Sequence, residues 1–110
     1  MGYYKTELWE TKEIGWSSTM GGSASHLREI VFKKELSVKE FIDAVINLND
    51  GYDWGTVFVN NEELLKFNYF NGESRETILN HTRYLEIKDT KIKKATSSNE
   101  WYEFHFNIEI

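Results

Sequence analysis

The stretch that most restricts the fold is Leu36 to Gly51, LSVKEFIDAVINLNDG. Ser37 followed by Glu40 is the S-x-x-E capping box, and Leu36 and Phe41 fall at the positions of a hydrophobic staple. Phe41, Ile42, Val45, Ile46 and Leu48 form one apolar stripe at helical spacing, with Lys39, Asp43 and Asn47 on the wet side. Asn49-Asp50-Gly51 is a stop, because Gly51 can take the left-handed conformation after a helix. The spacing therefore predicts a helix over about 37–49. Such a helix cannot bury its own stripe and needs a sheet beside it.

The remaining segments supply strands. Tyr3 to about Thr11 is β-prone. Leu27 to Lys34 places Ile30 and Phe32 on one face and Leu27, Glu29, Val31 and Lys33 on the other. Thr56–Val59 and Leu64–Phe70 are separated by Asn60-Asn61-Glu62-Glu63, which reads as a hairpin turn because Asn tolerates positive φ. Asn71-Gly72 is a second hairpin dipeptide. Residues 73–80 fit a helical turn or a loop. Arg83 to Lys88 reads as a strand, Lys91 to Ala95 continues it or begins another, and Thr96 to Glu100 reads as a turn. Trp101 to Ile110 alternates most cleanly. Tyr102, Phe104, Phe106, Ile108 and Ile110 are set against Trp101, Glu103, His105, Asn107 and Glu109. Short turns favour antiparallel pairing. The expected fold is a single α+β domain over residues 1–110, with one curved antiparallel sheet of about five to seven strands and the helix across one face.

Composition narrows the function classes. At 110 residues the chain can hold one core without staples. It has no cysteine, hence no disulfide framework and no thiolate metal site. No apolar leader or membrane-length run is visible, so the expectation is a cytoplasmic protein with no membrane partner. A net charge of −5 argues against phosphate neutralisation of a nucleic acid and permits a basic protein partner. Asn80-His81-Thr82 matches a glycosylation acceptor, read as chance without a secretory signal.

No motif carries catalysis. The loop Gly15 to His26, GWSSTMGGSASH, resembles half a nucleophile elbow but lacks the second flanking glycine and the strand-to-helix turn. His26, His81 and His105 are isolated, without metal-ligand spacing. Asn49 to Asp53 lacks the register of a calcium loop, and the lysines of KDTKIKK (88–94) suit a solvated edge strand. No cofactor and no metal is expected.

Aromatics are 15% of the chain. Most must fill the core, yet Trp and Tyr also anchor binding surfaces. The leading expectation is a non-catalytic protein-binding domain of antagonist or immunity type. It would occlude a basic partner through Trp9, Trp16, Trp54, Trp101 and Glu103. Size, acidity and aromatic content give the general look of many phage and mobile-element proteins, but no motif carries that impression. The alternative is a small-ligand or nucleotide binder built on the loop 15–26, with Ser23, Ser25 and His26 among its contacts. A homodimer through an edge strand is a further expectation, with the long last strand as the candidate edge.

Overall fold

The computed structural model describes residues 6–18, 24–48, 54–70, 73–100 and 103–110. The helix forms where the capping box places it. Helix α1 spans Val38–Leu48. Glu40 N–H donates to Ser37 Oγ at 3.2 Å, and Ser37 N–H donates back to Glu40 Oε1 at 2.8 Å. The two amides before Glu40 find partners at the far end of a second helix. Val38 N–H donates to the Thr90 carbonyl at 3.0 Å, and Lys39 N–H to the Lys88 carbonyl at 2.9 Å. The opening amides of α1, which no helix can satisfy itself, are thus all bonded. On the wet face Lys39 Nζ donates to Asp43 at 2.8 Å, which raises the lysine above its ordinary pKa.

Seven strands form one mixed sheet: β1 (Trp9–Ser18), β2 (Ala24–Phe32), β3 (Trp54–Val59), β4 (Glu62–Phe70), β5 (Glu73–Ile78), β6 (Lys94–Glu100) and β7 (Glu103–Glu109). Their order is β1-β2-β6-β7-β3-β4-β5. All neighbouring strands are antiparallel except β3 and β7, which run parallel. The α+β class and the single helix-covered sheet are as expected. The parallel pair departs from the purely antiparallel expectation, because β7 returns from β6 into the centre of the sheet and meets β3 in the same direction. The last strand is therefore central, and the edges are β1 and β5.

One face of the sheet carries Ile30, Val57, Val59, Leu65, Phe67, Phe104, Phe106 and Ile108, all buried, and α1 lays Val38, Phe41, Ile42 and Val45 among them. Trp9 sits inside this core at 1% exposure, 5.0 Å from the Phe41 ring and edge-on to Phe32 at 6.2 Å. Phe41 in turn meets Phe106 edge-on at 5.7 Å. Edge-to-face and tilted pairs of this kind add to burial because ring edges are positive and faces negative.

Several expectations are corrected. The first strand begins at Trp9, since Thr6 pairs back to Trp9 and its hydroxyl accepts the Leu8 N–H, making a turn of residues 7–8. Residues 1–5 and Asn71-Gly72 lie outside the described residues, although Phe70 and Glu73 on either side of the latter are paired. Within the segment 15–26, residues 15–18 and 24–26 are ladder, with Trp16 opposite His26 and Ser18 opposite Ala24, and residues 19–23 lie outside the described residues. Small polar residues accept strand geometry when a neighbouring strand takes up their backbone bonds. Residues 73–78 form β5. Arg83 to Lys88 is not a strand. It falls in helix α2 (His81–Ile87), whose cap is Asn80 Oδ1 accepting the Arg83 N–H at 3.0 Å. Ile87, one turn after Tyr84, is buried against the core. Thr96 to Glu100 is not a turn but part of β6, held between β2 and β7. The hairpin expected over Asn60 to Glu63 forms, but its turn is Asn60-Asn61 alone, with φ of 49° and 71° in the left-handed region, and Glu62 and Glu63 already pair in β4.

Candidate functional site

The face of the sheet opposite α1 holds no helix among the described residues, and alternation decides which side chains stand on it. In β7 these are Glu103, His105, Asn107 and Glu109; in β3 they are Trp54, Thr56 and Phe58. The parallel register sets Trp54 opposite Glu103, Thr56 opposite His105 and Phe58 opposite Asn107. On one flank Lys66 lies opposite Thr56 and Thr77, and Asn68 opposite Arg75. On the other flank β6 sets Ser98 opposite His105 and Thr96 opposite Asn107. The result, among the described residues of β3, β6 and β7, is a polar surface with two aromatic residues, Trp54 and Phe58, one toward each end of β3.

Trp54 is 47% exposed, unusual for a large ring on a central strand. It borders a shallow cavity of about 360 Å³ shared with Thr56, Lys66, Asn68, Arg75, Thr77 and Glu103. A second hollow of about 300 Å³ lies between Phe58, Asn61, Thr96, Ser98, His105 and Asn107. His105 Nε2 is 3.2 Å from Glu103 Oε2, and the Phe58 ring meets the imidazole edge-on at 5.8 Å. Asn107 Nδ2 donates to Asn61 Oδ1 at 2.8 Å, tying this end of the face to the β3–β4 turn.

Chemically, the face offers stacking, hydrogen bonding and two cations. Ser98, His105 and Glu103 are neighbours, but no hydrogen bond joins Ser98 to His105, so the imidazole does not activate that hydroxyl as a nucleophile in this structure. Among the described residues no three His, Asp or Glu converge to hold a metal.

Of the expected contacts, the structure brings Trp54 and Glu103 together directly. Trp16, Ser25 and His26 come together on the β1–β2 ladder, Trp16 opposite His26 and Ser25 opposite Ser17. His26 is also paired to Asn99, which faces Phe104, the residue after Glu103, so the two groups share one end of the sheet. Trp9 is corrected: it is a core residue and reaches no surface, because β1 turns it toward Phe41. Ser23 and Trp101 lie outside the described residues.

Lys66, Arg75 and Asn68 were missed. Alternation against Leu65 and Phe67 could have put Lys66 on the open face, but only the order of β5, β4, β3 and β7 shows that these residues surround Trp54. Arg28 was missed too: it is 6% exposed, directly opposite Glu13, and donates to Asn99 Oδ1 at 2.6 Å. No protein-family model matches the chain, and no curated protein or solved structure matches it.

Proposed function

We propose that this chain is a non-catalytic binding module of antagonist type that covers a surface of another protein with the open face of its sheet. The observation that carries the reading is the exposed Trp54 beside Glu103 at the end of that face, with Phe58 at the other end of the same strand, while Trp9, Phe41, Phe67, Phe104 and Phe106 serve the core. A large aromatic ring with a polar surround is the usual anchor of a protein interface, and an uncovered sheet face gives it a broad platform. The net charge of −5 supports a partner with a basic surface, whose approach would be accelerated by charge complementarity.

Capture of a stoichiometric host protein by the immobilised chain tests this. Loss of capture on Trp54→Ala, with capture retained on Leu85→Ala, places the contact on the open face; Leu85 is 65% exposed on α2. Equal capture by both variants removes the open face as the site. An association rate that does not fall with added salt removes the charge argument.

A further inference from the structure

The cavity at Trp54 collects an arrangement that a flat protein interface does not require. Two cations, Lys66 and Arg75, stand at its β4–β5 side, and one carboxylate, Glu103, at its β7 side. The chain carries 13 Lys and Arg against 18 Asp and Glu, so its cations have carboxylates to spare. Yet Lys66 makes no ion pair among the described residues. Glu103 does not quench it: it stands two strands away on β7, with its carboxylate 3.2 Å from His105 Nε2. From β5 to β7 is three strand spacings, about 14 Å, so the positive and negative ends are held apart with Trp54 between them.

We infer that this cavity binds a guanine nucleoside monophosphate. The base would stack on Trp54, Glu103 would accept from the base edge, and Lys66 and Arg75 would hold the phosphate. Each part follows from chemistry. A ring that is exposed and lines a cavity stacks on any base through its π-face. An ionised carboxylate only accepts hydrogen bonds, so it selects a base with two adjacent donors. Guanine alone has these, at N1–H and the 2-amino group. The phosphate answers two neighbouring cations, which would repel a cationic ligand and which a neutral sugar would not need. Asn68, on β4 between Arg75 on β5 and Trp54 on β3, would meet the ribose. A polynucleotide is disfavoured by the net charge of −5, whereas one phosphate is not. The cavity of about 360 Å³ is within the range of small-ligand sites, roughly 300–1,000 Å³.

The experiment is calorimetric titration of the full chain, without any protein partner, with 5′-GMP, 5′-AMP, guanosine and inorganic phosphate. It therefore stands or falls separately from the protein-docking reading. Circular dichroism checks the fold of each variant. The expected result is saturable binding of GMP, at least tenfold tighter than AMP and than phosphate. Trp54→Ala and Lys66→Gln should each weaken GMP at least tenfold, and Glu103→Gln should abolish the preference for GMP over AMP. Absence of saturable GMP binding overturns the inference. So does binding that the three variants leave unchanged, or phosphate binding as tightly as GMP. Binding of a phosphotyrosine peptide in place of GMP overturns it as well, since the ring-and-phosphate chemistry would then come from a protein.

Discussion

Trp54 and Glu103 lie directly opposite one another in the parallel pair β3–β7. They are 49 positions apart in the chain, and only the insertion of β7 between β6 and β3 makes them neighbours. Because Trp54 is 47% exposed and projects from the face opposite the core, its removal should separate binding from folding. Trp54→Ala is expected to change stability within about 0.5 kcal/mol, as for a surface substitution, while abolishing capture of the partner. Urea unfolding alongside the capture assay checks both halves.

Trp9→Ala is expected to behave in the opposite way. The ring is 1% exposed and packs against Phe41 and Phe32. Truncating a buried aromatic of this size costs about 3–5 kcal/mol, a large fraction of the stability of a small domain. A fall in the urea midpoint of that order is the expected readout. An unchanged midpoint would mean that Trp9 is not part of the core.

Gly55 lies opposite Phe104 in the parallel pair β3–β7. A Cβ there would run into the carbonyl oxygen of Phe104 and come within 2.8 Å of Phe67 Cζ. The obstacle is backbone in the middle of the sheet, which cannot swing aside. Gly55→Ala is expected to destabilise by at least about 1–3 kcal/mol, the usual range for overpacking. Thermal unfolding by circular dichroism measures it, and a variant as stable as the parent would contradict the close approach.

The capping box sets a pH dependence. Glu40 has its pKa lowered, first by the Ser37 backbone N–H, then by the Ser37 side chain, with a smaller contribution from Lys91. A carboxyl whose folded pKa is lowered stabilises the fold above its unfolded pKa, and that stabilisation is lost as the pH falls through the folded value. Glu40→Gln should therefore unfold more easily than the parent at pH 7, and the difference should shrink at acid pH below the ordinary glutamate range. Ser37→Ala removes the hydroxyl half of the box and is expected to cost about 1 kcal/mol at neutral pH. Urea titrations across this pH range check both; a gap between Glu40→Gln and the parent that does not narrow in acid would exclude the box as its cause.

Helix α1 was legible because its signals are local. The S-x-x-E box, the staple and the apolar stripe lie within about three turns, and the box is closed by residues inside that span. The Asn60-Asn61 turn was legible for the same reason, since positive φ is a property of the residues themselves. So was the two-faced alternation of β7, where Phe104, Phe106 and Ile108 are buried and Glu103, His105 and Glu109 exposed. The α2 segment failed because its local signals conflict. Tyr84, Leu85 and Ile87 suit a strand, and it is the Asn80 cap and the burial of Ile87 against the core that select a helix. Residues 96–100 and 15–18 failed because Ser, Thr and Asn favour turns when alone. Here neighbouring strands take up their backbone groups on the ladder, and that gain outweighs the local preference.

By itself, then, the chain determined helix α1, the Asn60-Asn61 turn and the two-faced character of β7, because those depend on bonds and periodicities a few residues long. Only the tertiary structure decided the strand order, the parallel meeting of β3 and β7, the burial of Trp9 and the gathering of Trp54, Glu103, Lys66 and Arg75 on one face. Each of these joins segments far apart in sequence, and what selects among the possible pairings is the burial of one shared core, which no short stretch encodes.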